Sequence, residues 1–458
     1  MLREDSQVHP NSVLDASGLL TAVGLMRDLE RDFLGTSKSW FDEYGDIVYV
    51  KTPGFDQVVL RHPDDIHDVL VGRSDIFIKD ATYTDPQRGL FKFLGNGLLN
   101  SNGSFWKRQR KLTAPALHHR RVAGYFDMMV ESTNRMLDGW VGQHTVDVEA
   151  AMMHTTLDIV TRSLFNTAIP LDAPRIAGAM DVIQDFVGRQ NSPAGLLPEW
   201  MNIPALIRES RASGELDEIV YRIIRERRAQ GEHDTGDLLS MLLAARDDDG
   251  QPMSDVQIRD EIVTMFLAGH ETTANTMNWT WVLLAQNPDA ERLLHEEIDR
   301  VLDGGRRTPT LEDLKAMPYS LQIIKESMRL YPVAFTFSRM PTEDVMLGDV
   351  LVKKGTSVVV LSYWTHHDPR WWPNPEAFDP TRFSPENEAN QRKYAYLPFG
   401  GGPRVCVGNG FAMMEAQLML VMIASRYRLR LNGPAPEIDP LLTIRVKGDL
   451  KMALEARN

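Results

Sequence analysis

The chain has 458 residues, 43% hydrophobic and 25% charged, a balance found in folded proteins and not in disordered ones. Its net charge of −13 excludes wholesale electrostatic binding of nucleic acid. A single cysteine excludes an intrachain disulfide and fits a reducing compartment.

In chain order, residues 13–26 are apolar in parts, but the stretch is short and carries Asp15, whereas a membrane span needs about 20 apolar residues. No basic segment followed by an apolar stretch and a cleavage site is visible, so a cytoplasmic location is expected. Strand-like runs at 47–51 and 57–60 lie among helical stretches. From 105 to 330 the periodicity is mainly helical, with apolar residues at helix spacing over 120–140, 150–165, 176–187 and 217–228. Three prolines within 191–204 mark a loop or a broken helix. Ser254 to Gln257 reads as a capping box, and nothing stops the helix it opens before Gln286. At 1.5 Å per residue that helix is roughly 48 Å long and has to cross the core. A helix follows Pro288, then one over 317–330, with strands near 335–339 and 357–361. Residues 368–383, rich in proline and tryptophan, predict irregular chain, and a glycine-rich loop at 399–402 leads into a last helix over 407–426. The order predicts a mainly α protein with small β-sheets (α+β), β-richer over about 1–100 and helical over about 101–458, and not a doubly wound sheet.

The chemistry concentrates in Phe399-Gly-Gly-Gly-Pro-Arg-Val-Cys406-Val-Gly408. A free thiol titrates near 8.5, so a thiolate needs help to persist at neutral pH. Glycines let N–H groups turn toward the sulfur, the following helix faces it with its positive end, and Arg404 is placed to meet a nearby anion. Structural zinc wants about four Cys or His ligands and a cluster wants several thiolates, whereas haem needs one proximal ligand. The stretch resembles the cysteine-ligand loop of the cytochrome P-450 family, Phe-x-x-Gly-x-Arg-x-Cys-x-Gly. Phe399, Gly402, Arg404, Cys406 and Gly408 match every specified position.

Three more motifs are similar to that family's. Glu326 and Arg329, three apart on a helix, match its Glu-x-x-Arg pair, and Arg382 in Pro-Thr-Arg-Phe matches the second arginine of the same structural network. Ala268-Gly269-His-Glu271-Thr272-Thr matches the sequence in which an acid and an alcohol manage protons for dioxygen. From the residues alone, Gly269 lets a flat ligand approach the backbone, and Thr272 can return a hydrogen bond one turn back, opening the helix. Trp106 and Arg110 match the Trp-x-x-x-Arg pattern that meets a haem propionate, and Arg339 sits where a strand arginine of the family does the same.

The resemblance implies the P-450 fold, with a long central helix crossing over the haem and the cysteine loop before the last long helix, in one haem domain spanning 1–458 with no fused reductase. It implies haem b with Cys406 as axial iron ligand, O2 as co-substrate, and Glu271 and Thr272 as catalytic groups. Electrons from NAD(P)H would arrive through a ferredoxin or flavodoxin and its reductase. The reaction implied is hydroxylation or epoxidation of an apolar molecule such as a fatty acid, terpenoid, steroid or other hydrophobic natural product. Family alignment places Phe91, Phe93, Leu94, Phe186, Leu196, Leu197, Trp200, Phe266, Phe335 and Phe337 along the pocket, where each can equally be ordinary core. Lys79, Arg88 and Lys92 can anchor a carboxylate or simply be solvated. The basic stretch with Lys107, Arg108, Lys111, Arg120 and Arg121 can dock an acidic donor or be solvated. A monomer is expected. A peroxide-driven peroxygenase and a non-enzymatic haem sensor remain the rival readings.

Overall fold

The computed structural model describes residues 13–53, 56–87, 89–166, 172–190, 192, 202–231 and 235–457. Strands β1 (Val13–Asp15), β2 (Ile47–Lys51), β3 (Gln57–Leu60) and β4 (Phe77–Ile78) open the chain. The principal helices are α1 (Gly103–Thr113), α2 (Val148–Phe165), α3 (Ala173–Gln190), α4 (Ile203–Ala229), α5 (Asp255–Gln286), α6 (Pro318–Leu330) and α7 (Asn409–Arg426). Between the last two lie β5 (Thr336–Pro341) and β6 (Ser357–Leu361), and after α7 the hairpin β7 (Ile438–Pro440) and β8 (Ile444–Val446).

The β-richer front, about 1–100, shares its sheet with strands of the mainly helical remainder. One six-stranded sheet runs in the order β1-β2-β3-β6-β5-β4, so its centre is built from both ends of the chain. β3 pairs with β6 in parallel, Val58 against Val358 and Val59 against Val359. The apolar runs of β3 and β6 are buried almost throughout, as expected of strands with neighbours on both sides.

α5 opens on the predicted capping box. Ser254 accepts from Gln257 N, Gln257 returns its side chain to Ser254 N, and the helix then runs unbroken for 32 residues. Most of its side chains are buried, because α2, α4, α6 and α7 pack around it. α4 begins at Ile203, well before the helical periodicity at 217: Asn202 caps it and Pro204 sits in the first turn, where a proline costs nothing. The predicted helix over 120–140 is broken, with turns of 3-10 helix around residues 114–125 before the regular helix Phe126–Trp140. Residues 368–379 are irregular, as their composition implied. Among the described residues no helix is long and apolar enough to cross a membrane.

Candidate active site

The cysteine loop folds around glycines that no other residue can replace. Gly402 has φ +65°, and a Cβ on it would lie 2.1 Å from the carbonyl oxygen of Leu70. Cys406 N donates to Phe399 O at 3.0 Å and closes the loop just ahead of α7. The thiol of Cys406 keeps accessible surface, yet lies deep enough that burial pushes it upward. The N–H of Gly408 and the charge of Arg110 pull the other way. The start of α7, with Gly408 as its cap, adds its positive end.

Next to this loop the chain gathers positive charge. Arg404 stacks over the Trp106 ring at 4.1 Å, its Nη2 donates to Asn102 Oδ1 at 3.1 Å, and its Nη1 is buried without a partner among the described residues. Burial and the nearby guanidinium groups of Arg339 and Arg110 hold Arg404 down to about 9. Arg110 donates to Val405 O at 3.0 Å, and buried Arg339, among the described residues, donates only to the carbonyl of Ser338, at 2.7 Å. Lys79, expected to be solvated, is instead buried beside these arginines, and their charge together with burial holds it well below the ordinary lysine range. Asp80 faces the group, but its oxygens accept from neutral donors, Ser357 Oγ and Thr82 N. Three guanidinium groups, one with an orphaned nitrogen, and a buried lysine gathered beside a thiol favour a bound anion. The two carboxylates of a haem supply that, so the residues present fit the group.

The centre of α5 carries the second motif. Ala268 is exposed between buried residues, and Thr272 Oγ1 donates to Ala268 O at 2.6 Å, the carbonyl one turn back. The helix does not open there; the hydroxyl bond stands beside a continuous ladder. Gly269 has a packing reason, since a Cβ on it would meet Val160 of α2 at 2.7 Å. Glu271 is buried and fully held: Gln184 of α3 donates to Oε2 at 2.5 Å and Thr443, just before β8, to Oε1 at 2.6 Å. Burial pushes its carboxyl above the ordinary range against these two bonds. Gln184 and Thr443 left no mark in the sequence, because their link to Glu271 spans 87 and 172 residues. Asn102 and Lys79 were equally unseen as a unit, although a lysine ending the apolar run 76–78 was a usable sign.

Glu326 and Arg329 are both completely buried and pair at 2.7 and 2.8 Å through two nitrogens. Arg329 also donates to the carbonyls of His366 and Ala377, and Arg382 lies 3.3 Å from Glu326. Asp379 N completes the shell around the carboxylate at 3.0 Å. Both oxygens of Glu326 and all three nitrogens of Arg329 make hydrogen bonds, which is what a buried pair needs, whereas the Nε of Arg382 adds charge without one among the described residues.

Of the pocket residues, Phe93, Phe186 and Phe266 share one apolar cluster, with Phe93 and Phe186 edge to face at 5.1 Å. Phe335 packs against Phe33 at 5.6 Å, Phe337 joins a third cluster, and Phe91 is half-buried. Leu196, Leu197, Trp200 and Arg88 lie outside the described residues. Lys92 is not solvated but tied to Glu209 of α4 at 2.5 Å. Lys111 pairs with Asp248 and Arg108 with Asp247, while Lys107 and Arg120 are exposed.

The sequence profile of the cytochrome P-450 family matches residues 19–452. The chain belongs to the cytochrome P-450 family. This P-450 is 34% identical to cyclooctatin synthase of Streptomyces melanosporofaciens over 90% of its length and 89% of the relative's. It is 34% identical to the cyclooctat-9-en-7-ol 5-monooxygenase of the same organism, covering 84% and 83%. It is 30% identical to leukotriene-B4 omega-hydroxylase 3 of Mus musculus, covering 87% and 80%. The protein is a P-450 monooxygenase, and its cofactor is the family's thiolate-ligated haem.

Proposed function

We propose that this P-450, as a single haem domain, hydroxylates or epoxidises an apolar small molecule of terpenoid or fatty-acyl type. Support comes from the relatives, whose names speak of cyclooctatin, cyclooctat-9-en-7-ol and leukotriene B4, and from the aromatic cluster of Phe93, Phe186 and Phe266 packed on α5. Cys406 holds the iron, and Arg110, Arg339, Arg404 and Trp106 hold the haem carboxylates. The bound haem supplies activation of dioxygen and transfer of one oxygen atom to the substrate.

The chain's own part is proton management. The observation that carries this reading is the pairing, on adjacent residues of α5, of a carboxyl held by neutral donors with a hydroxyl beside an exposed alanine. Burial raises the Glu271 carboxyl above the ordinary range and so favours its protonated form; Glu271 and the hydroxyl of Thr272, the next residue of the helix, are the two groups assigned to the proton route. Electrons come from a ferredoxin or flavodoxin with its NAD(P)H-dependent reductase, docking by the exposed Lys107 and Arg120.

The deciding experiment is the carbon monoxide difference spectrum of the dithionite-reduced protein, followed by turnover with diterpene alcohols and long-chain fatty acids. A red-shifted Soret band that disappears in Cys406→Ser, with product formed only when donor and O2 are both present, is the expected result. Full turnover on hydrogen peroxide alone replaces the monooxygenase reading with a peroxygenase; a loaded protein that turns over no apolar substrate removes the substrate assignment.

A further inference from the structure

We propose that the cavity between the C-terminal ends of α5 and α6 is a binding site for a compact organic amine, taken up as its ammonium ion. The site is separate from the cysteine loop and does not depend on the substrate reading.

The fold brings two helix ends together here. Leu283, Gln286 and Asn287 close α5, and Leu330 and Tyr331 close α6; all of them line one cavity of about 290 Å³. The Trp279 ring of α5 stacks on the Tyr331 ring at 4.0 Å and fixes the two ends against each other. A helix carries a partial negative charge at its C-terminus, so both elements favour a cation. Leu283 and Leu330 are buried, and with Tyr363 and Phe378 they give the cavity an apolar, aromatic floor. Among the described residues no lysine or arginine lines it, and its one carboxylate belongs to Glu376.

The deciding group is His367. Its ring stacks on that of Tyr363 at 4.1 Å, and its side chain is only 3% exposed. Nδ1 meets the carbonyl oxygen of Tyr363 at 2.8 Å. A carbonyl only accepts, so Nδ1 carries the proton and Nε2 is left with a lone pair. Burial holds the imidazole down to about 4, which keeps it neutral at pH 7. Nε2 lies 3.9 Å from Glu376 Oε2, too far for a hydrogen bond, and has no other partner among the described residues. Two acceptors thus face one another across a gap that a donor to both would fill. An ammonium brings three donors and the charge that matches Glu376. The hydroxyls of Tyr331 and Tyr363, also without hydrogen-bond partners among the described residues and both within the field of Glu376, offer a third acceptor. A metal ion fits worse, since it wants about four ligands and no group of three His, Cys, Asp or Glu exists among the described residues. The volume suits an amine whose small hydrocarbon body lies on Leu283, Leu330 and Phe378. Its occupant would brace the chain beside the carbonyls of His366 and Ala377, which hold Arg329.

The test is equilibrium dialysis of the reduced, carbon-monoxide-bound holoenzyme against 2-phenylethylamine at pH 7, where the probe is protonated and carbon monoxide keeps it off the iron. 2-Phenylethanol, the same body without the charge, is the control. The variants are Glu376→Gln, at an exposed side chain, and His367→Phe, which keeps a ring on Tyr363 but has no lone pair. The expected result is that the parent holds the amine and each variant binds it about tenfold more weakly, the loss of one hydrogen bond to a charged group. The alcohol should bind parent and variants alike. Glu376→Gln that takes up the amine as tightly as the parent overturns the proposal and assigns the amine to the substrate pocket. Alcohol bound by the parent as tightly as the amine overturns it too, since the charge is then not recognised.

Discussion

At the scale of single residues, two carboxyl groups on α5 separate by environment. Glu271 has both oxygens occupied by Thr443 and Gln184, donors supplied by different elements, so its position depends on α3 and the strand hairpin staying in place. Gln184→Leu removes one donor without touching the haem side. The expected outcome is a several-fold loss of product per electron pair consumed, read as the ratio of product to NAD(P)H. On the proposed proton route, Thr272→Ala should leave carbon monoxide binding intact and divert most electrons to peroxide, measured by the same ratio and a peroxide assay. Glu261 is different: its Oε2 accepts from Leu98 N at 3.1 Å, its Oε1 is buried without a partner among the described residues, and burial raises the carboxyl to about 8. A carboxyl raised on folding binds its proton more tightly in the native state, so its contribution to stability is intact below the unfolded value and is lost as pH rises through the folded one. Glu261→Gln keeps an acceptor for Leu98 without the charge. Its stability advantage over the parent should grow from pH 4.5 and level off above pH 8, reaching on the order of 4 kcal/mol in urea titrations.

At the scale of elements, α5 was legible from its first residue, because its cap and its uninterrupted length are local properties. Ser254→Ala removes the hydroxyl of the capping box and should cost about 1 kcal/mol, visible as a lowered urea midpoint with an unchanged slope. The cysteine loop was legible for the same reason: Gly402 is specified by a local backbone need, and Phe399 and Cys406 are joined by a local hydrogen bond. The start of α4 was missed, since residues 203–216 carry a proline, a glycine and two arginines that blur the periodicity, and burial of Ala205, Glu209 and Ala212 settles the helix instead. The cation group around Asn102 was half-read: Trp106, Arg110 and Arg404 lie in motifs, whereas Lys79 depends on a strand register that single-chain patterns do not reveal.

At the scale of the whole molecule, the Glu326–Arg329–Arg382 network ties α6 to the irregular segment that precedes the cysteine loop. Arg329→Leu would leave Glu326 buried without its two strongest donors. A loss of about 3–5 kcal/mol is expected, with haem content falling in parallel with folded fraction by circular dichroism. The sheet was the least legible part, because its central pairing brings together residues 300 apart; local alternation marked β2, β3 and β6 but not their partners.

That pairing has a further consequence. During synthesis β2 and β3 leave the ribosome as a hairpin whose inner edge lies bare until β6 follows, some 300 residues later. At the 5–20 residues per second of translation that wait is roughly 15–60 s. Over that interval Val58, Val59 and Leu60 form an apolar edge ready to accept any extended chain. The same strand closes beside β5, which carries Arg339, so the positive wall of the site is assembled only at the last stage of the chain's emergence. The cofactor is thus offered a finished receptor late, and chaperone capacity and growth temperature, more than haem supply alone, should govern how much active protein a cell accumulates.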